Sequence, residues 1–383
     1  MYTALFKLEL FNQDKLEGDI FDIPEVDVSF VEIFLLNLEV NKATGLDNIS
    51  AKFLKYCAKS ISPIVCKLMN VCIDTNSFPS DWKCAKVSPL FKKGKKEFLC
   101  NYRPISILPV LSKCLEKHIH VHFYNFLNVH NLISDSQSGF RANHSCQTAL
   151  TNITNTWYDA IDKGLLTGVL FLDFRKAFDL VNHQILLSKL KLYGCSSKTV
   201  EFFQSYLSGR FQILNFKNTL SDSLPLSVGV PQGSILGPLL FILYVNDLPL
   251  ATNHCSLYMY ADDTAAQTHA KSLDIVNQYL SDDAKLVSKW CDINKMCINT
   301  EKTKAMLVTT SQRKCKLKDD LSVLINNVNI ENVNNEKLLG VTIDSCLSWD
   351  QQFTNICKKD IMSDFSDEKV ETIFKSVILY DIL

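Results

Sequence analysis

The pair Asp262-Asp263 constrains this chain more than any other feature, because of what surrounds it. Ser256-Leu257-Tyr258-Met259-Tyr260 leads in and Thr264-Ala265-Ala266 leads out, which reads as a strand, a tight acidic turn and a second strand. The two carboxylates then stand together at a hairpin tip on rigid backbone, and their repulsion has to be offset by cations. Oxygen ligands suit Mg²⁺ or Mn²⁺, and Mg²⁺ usually takes only one or two protein carboxylates, leaving its other positions to water and substrate phosphates. Asp is also an ordinary turn residue, so the pair alone does not separate a reacting site from a plain turn.

A third carboxylate narrows the choice. Gly168-Val169-Leu170-Phe171-Leu172 is an apolar run of strand length ending in Asp173, and its unbroken hydrophobicity predicts a strand covered on both faces. Downstream, Leu180, Val181, Ile185, Leu186, Leu187 and Leu190 approximate one apolar face of a helix. An Asp at a strand end beside the acidic hairpin makes a three-carboxylate site. Two metals held about 3.5–4 Å apart by such a site lower the pKa of a primer hydroxyl and brace a leaving pyrophosphate. That chemistry extends a nucleic acid.

Further segments fall around these carboxylates in a particular order: Lys42–Ile49 (KATGLDNI), Trp82–Gly94 (WKCAKVSPLFKKG), Asn101–Ser106 (NYRPIS), Gln137–Arg141 (QSGFR), the Asp173 strand, Gly229–Pro238 (GVPQGSILGP), the YADD turn and Leu338–Val341 (LLGV). Together they resemble the reverse transcriptases, most closely the RNA-directed DNA polymerases of non-LTR, LINE-type retrotransposons such as the jockey-like elements.

The resemblance implies an α+β, right-hand polymerase fold: fingers and palm, with an antiparallel palm sheet backed by helices, and a truncated thumb. It implies an N-terminal extension over 1–72, a reverse transcriptase domain over 73–344 (fingers about 73–165, palm about 166–344) and a thumb remnant over 345–383. Helices over Val110–Leu127 and Cys146–Ile161 are expected in the fingers, and one near Leu273–Trp290 behind the palm sheet. Asp173 and Asp262 take the metal-binding positions, and Asp263 completes the cluster. Phe178, five positions after Asp173, takes the place of the aromatic that blocks a ribonucleotide's 2′-hydroxyl, so DNA is the expected product; an unpaired polar group against a ring is costly. Gln232 and Gly233 match the segment near the incoming nucleotide and templating base. Arg103 matches the Arg that grips the triphosphate, with Lys92 or Lys93 assisting, and a planar guanidinium suits bidentate phosphate contacts. Lys302, in Asn299–Thr303, is the candidate general acid toward departing pyrophosphate. Leu339 and Gly340 fall in the expected primer-grip hairpin. The implied partners are an RNA template, a DNA primer and dNTPs, with Mg²⁺ or Mn²⁺ as cofactor.

Composition supports a globular chain: 383 residues, 47% hydrophobic and 21% charged are ordinary values. A net charge of −1 argues weakly against a nucleic-acid binder, yet Lys83, Lys86, Lys92, Lys93, Lys95, Lys96 and Arg103 gather against Glu97 alone, and distribution matters more than the total. Fourteen scattered cysteines without a recognisable signal peptide point to reduced thiols inside a cell, and the lack of a Cys-x-x-Cys pair removes the strongest zinc signal. His118, His120 and His122 sit near Glu116 and are read as structural rather than metal-binding. The apolar run Leu239–Val245 is well short of the ~20 residues that span a bilayer, so no membrane contact is expected.

The resemblance also has departures. Full elements of this class encode an endonuclease upstream and further domains downstream, and neither is found here. Beyond Trp349-Asp350 a basic helical thumb is expected, but Cys357–Leu383 is short and acidic, with Asp360, Asp364, Asp367, Glu368 and Glu371. Glu371–Leu383 is similar to a later thumb helix brought closer by a deletion. A shortened thumb neutralises fewer phosphates and weakens grip. Two alternatives therefore stand beside the polymerase: an inactive truncated retrotransposon remnant that keeps the fold and at most binds nucleic acid, and a palm enzyme such as a nucleotide cyclase, against which the Pro-Gln-Gly segment and the basic block count.

Overall fold

The computed structural model describes Leu8, Asn12 and residues 14–361, apart from positions 93 and 218. Lys93 and the 362–383 part of the expected thumb lie outside the described residues. In chain order the strands are β1 (Cys84–Phe91), β2 (Tyr102–Ile107), β3 (Leu166–Leu172), β4 (Arg210–Phe216), β5 (Thr219–Leu220), β6 (Leu224–Leu226), β7 (Ser256–Tyr260), β8 (Asp263–Ala270), β9 (Lys304–Val308), β10 (Leu324–Ile325), β11 (Val328–Asn329), β12 (Glu331–Asn332), β13 (Asn335–Leu338) and β14 (Val341–Asp344).

The apolar β3 is buried along its whole length, as a run without polar alternation must be. It pairs antiparallel with β8, from Leu166↔Ala270 to Leu172↔Thr264, and with β9, from Thr167↔Val308 to Phe171↔Lys304. The sheet order is β12-β9-β3-β8-β7. It is antiparallel except at its edge, where the short β12 returns parallel to β9.

Period-two alternation divides the sheet's side chains between two layers. Val169, Phe171, Ala265, Met306 and Val308 pack with Ile153 and Trp157 of the Cys146–Asp162 helix. On the other face the Leu273–Ile293 helix approaches so closely that a Cβ at Gly168 would stand 2.4 Å from Val276 Cγ1 and 2.7 Å from Leu280 Cδ1. The expected helix beginning at Leu180 starts later. Ala177–Leu180 is a 3₁₀ turn, and Asn182 Oδ1 accepts from the Ile185 N–H, capping a helix over His183–Leu192.

The apolar helix Leu236–Val245 is buried on every side, as a sequence without a polar face requires. At its end Lys189 Nζ donates to Tyr244 O (2.5 Å) and pairs with Asp247 Oδ1 (2.6 Å), both side chains fully buried. N-terminal residues share this core: Phe21 bridges to Cys195, and Val31 and Leu35 join the cluster containing Leu115, Phe203 and Leu240. His118 reaches Pro24 O through Nε2 (2.8 Å).

A second sheet runs β2-β1-β4-β5, with β6 on β4. β1 is antiparallel to β2 and parallel to β4. The architecture is thus mixed α+β, with one sheet enclosed by helices and one largely exposed. Cysteines described as thiols include the buried Cys66, Cys114 and Cys195, all free. Among the described residues no helix is long and apolar enough to cross a membrane.

Candidate active site

The β7–β8 hairpin closes at Tyr260↔Asp263. Its turn residue Ala261 has φ +59°, a conformation uncommon for a residue with a Cβ. Asp262 and Asp263 project to solvent from this turn. Asp173 follows the last residue of β3, and the neighbouring register Leu172↔Thr264 puts it beside the start of β8. Its backbone N–H donates to Thr303 Oγ1 (3.2 Å), its carbonyl accepts from Asn299 N (2.7 Å), and its Oδ2 accepts from Asn299 Nδ2 (3.0 Å).

The three carboxylates act on one another. Partial burial, then the charge of Asp262, then that of Asp173, push the Asp263 carboxyl up to about 6, against the pull of Arg103. Asp262 is also raised, first by burial, with Asp173 adding to the shift and Arg103 and Lys92 opposing it. Among the described residues no ion pair joins any of the three to a Lys or Arg, and no group of three or more His, Cys, Asp or Glu side chains is gathered closely enough to hold a metal ion by itself. The three side chains offer oxygen donors only, with Asp262 and Asp263 exposed and Asp173 half-buried, so a hard divalent cation held here would need water or phosphate to complete its coordination.

Around this turn the other expected residues take separate places. Phe178 stacks on Phe241 with centroids 4.2 Å apart and meets the edge of Phe140 at 6.2 Å. Gln232 Nε2 donates to Asp179 Oδ1 (2.9 Å), one residue beyond Phe178, while Gln232 O accepts from Ser106 N (2.8 Å). Gly233 has φ +133°, and a Cβ there would stand 2.2 Å from Ser106 O. The Pro-Gln-Gly loop is therefore strapped to the end of β2, the strand that carries Arg103. Arg103 lies opposite Leu90, and it and Lys92 are exposed. Leu339 (φ +48°) and Gly340 (φ +93°) form the β13–β14 turn, and Leu338 and Leu339 line a small cavity with Tyr258, Tyr260 and Asp263. Lys302 is exposed on the turn before β9, its N–H donating to Asn299 O; among the described residues no ion pair links it to the acidic turn.

Buried polar groups that the sequence reading did not assign support these loops. Glu116 Oε2 accepts from Ile235 N (2.7 Å) and Leu236 N (3.2 Å), at the start of the helix after Pro-Gln-Gly; burial raises its pKa, with Arg210 and these N–H groups opposing. Asp283 receives Asn253, His254 and Cys255 N–H groups in the loop entering β7. Gln137 Oε1 accepts from Gly139 N and Ala261 N at the acidic turn itself.

The sequence family described as reverse transcriptase (RNA-dependent DNA polymerase) matches residues 91–343, which contain all three carboxylates. The chain belongs to that family. Among similar proteins, the probable RNA-directed DNA polymerase from transposon X-element of Drosophila melanogaster is 31% identical over 323 residues, covering 82% of this chain and 35% of that protein. The RNA-directed DNA polymerase from mobile element jockey of Drosophila melanogaster is 28% identical over 340 residues, 86% of this chain and 36% of that protein. The Drosophila melanogaster protein described as a probable RNA-directed DNA polymerase from transposon BS is 29% identical over 82% of this chain and 35% of its own length. The chain spans about a third of the length of these relatives.

Proposed function

We propose that this chain is the RNA-directed DNA polymerase domain of a non-LTR retrotransposon, adding dNTPs to a primer 3′-hydroxyl on an RNA template. What supports the reading is that Asp173 ends β3 at the register Leu172↔Thr264, next to the turn that carries Asp262 and Asp263, with the charge of Arg103 acting on both turn carboxylates. In this reading residues 1–72 are an N-terminal extension, 73–165 fingers, 166–344 palm and 345–383 a shortened thumb.

Each residue then has a task. Asp173 and Asp262, completed by Asp263, hold a pair of Mg²⁺ or Mn²⁺ ions, which when bound supply Lewis-acid stabilisation to the attacking and leaving oxygens. Arg103, with Lys92 and Lys93, holds the triphosphate through charge-assisted hydrogen bonds. Phe178, backed by Phe241, occupies the space a 2′-hydroxyl needs. Gln232 and Gly233 position the base pair being formed from a loop tied to β2. Leu339 and Gly340 steady the primer end beside the acidic turn, and Lys302 gives a proton to pyrophosphate as it leaves.

Purified chain with Mg²⁺ or Mn²⁺, a primed RNA template and dNTPs should extend the primer, and Asp262→Asn should abolish extension while keeping the fold. A wild-type chain that binds primed template but never extends it would instead be a non-catalytic remnant.

A further inference from the structure

From its hydrogen bonds we infer that Gln137 is a positioning residue for the carboxylate turn, acting through the backbone of Ala261; the catalytic consequence rests on the polymerase reading. Gln137 is wholly buried. Its Oε1 accepts from Gly139 N (2.7 Å) and from Ala261 N (2.9 Å), 124 residues away. Its Nε2 has no hydrogen-bond partner among the described residues, so the side chain is held for its carbonyl oxygen. Ala261 is itself buried, and without that oxygen its N–H would have no acceptor, a penalty the turn escapes only by moving.

The rest of the segment supports this single contact. Ser138 N donates to Met259 O and Met259 N to Ser136 O, each at 2.8 Å, so the 136–138 backbone runs parallel to β7 up to the turn. Gly139 then passes so near that a Cβ would stand 2.2 Å from Ala261 N and 2.9 Å from Tyr260 C. Any side chain at position 139 would push the segment off the turn. The segment's own anchorage lies elsewhere: Arg141 Nη1 donates to Ser134 O (2.9 Å) and Gln137 O (3.1 Å), and Ser134 N donates to Asn246 Oδ1 (2.8 Å) just beyond the buried Leu236–Val245 helix. The pose of Asp262, the residue after Ala261, is thus referred through Gln137 to Asn246 at the end of the buried Leu236–Val245 helix.

Two variants and two readouts test the assignment. Gln137→Met keeps the side chain's bulk and removes the acceptor; Gln137→Glu retains an acceptor oxygen. By hydrogen–deuterium exchange, Gln137→Met should speed exchange in residues 256–266 by about tenfold or more while β3 stays as in wild type, and Gln137→Glu should recover part of the protection. In primer extension, Gln137→Met should lower kcat at least tenfold with KM for dNTP within about threefold. Wild-type exchange over 256–266 in Gln137→Met overturns the inference whether or not the chain extends primers, and so does an equal change in kcat and KM. If Gln137→Met loosens the whole protein, Gly139→Ala decides. The same exchange pattern confined to 256–266 supports the clasp, and protection unchanged at the turn refutes it. Wild-type extension separately tests the polymerase reading.

Discussion

The two sheets of this protein carry residues of opposite charge under opposite physical conditions. The sheet β12-β9-β3-β8-β7 is sandwiched between helices; its acidic turn is fixed by the Ala261 N–H donating to the buried Gln137 Oε1, and Asp173, after β3, by its contacts with Asn299 and Thr303. The sheet β2-β1-β4 is covered far less: Leu90 is 58% exposed and Phe216 50%, and Arg103 of β2 and Lys92, just past β1, stand in solvent, although Arg210 at the start of β4 is buried. On the proposed polymerase reading the difference follows from what each must do. Groups that meet reacting atoms lose rate when misplaced by an ångström, so they belong on packed elements. Groups that capture a hydrated, charged ligand act at longer range and profit from reach, which exposed lysine and arginine provide.

If that division is right, damage to the enclosed sheet should strike turnover and damage to the exposed sheet should strike binding. Asp262→Asn and Asp173→Asn carry the largest expected effect. Each removes several kcal/mol of transition-state stabilisation, so extension should fall by about 10²–10³-fold or more, with circular dichroism unchanged and the melting temperature not lowered. Retained extension in either variant would end the comparison. Phe178→Val should come next, with discrimination between dNTP and rNTP falling by about 10²-fold in the ratio of kcat/KM values while dNTP incorporation stays close to wild type. Arg103→Ala should raise KM for dNTP by about tenfold or more, the worth of a charge-assisted hydrogen bond. A loss confined to kcat would move Arg103 from capture to chemistry.

The enclosed sheet was also the more legible one in sequence. β3, the acidic hairpin and the Leu273–Ile293 helix announce themselves by local pattern: unbroken apolarity, strand–turn–strand and a long amphipathic run. The expected helices over Val110–Leu127 and Cys146–Ile161 differ from the observed Val110–Val129 and Cys146–Asp162 only at their ends. What could not be read was contact between distant segments. The parallel pairing of β1 with β4 joins Lys86 to Ile213, and nothing local to either strand encodes it. Glu116, which beside three histidines invited comparison with a metal site, spends its carboxylate on the Ile235 and Leu236 N–H groups. Gln137 has the same character, a lone polar residue whose partner is a backbone N–H on another strand. Buried polar residues that serve backbone carry no periodicity, so only coordinates expose them.

Packing and titration of the enclosed sheet sharpen the comparison at smaller amplitude. Gly168→Ala would drive a methyl into Val276 and Leu280 of the covering helix, and overpacking of this kind destabilises by about 1–3 kcal/mol. Urea unfolding should show a lower midpoint with an unchanged slope, whereas an alanine at the exposed Leu90 of the outer sheet should leave the unfolding free energy within about 0.5 kcal/mol of wild type.

The smallest effect concerns Asp263. Its folded pKa of about 6 stands above the ordinary 3.8, so between those values the folded state binds more proton than the unfolded one, and the group's contribution to stability increases as pH falls from 7 toward 4. Asp263→Asn removes the repulsion at any pH. The variant should therefore be the more stable protein above pH 6, by a few tenths of a kcal/mol because solvent screens an exposed pair, and this advantage should shrink to nothing below about pH 4. Paired urea titrations at pH 7.5 and pH 4 measure the difference directly, with titrating groups away from the acidic turn cancelling between the two proteins. A gap that grows on acidification would mean that Asp263 is stabilised as an anion in the metal-free fold, and that the acidic turn is already compensated by the exposed basic sheet.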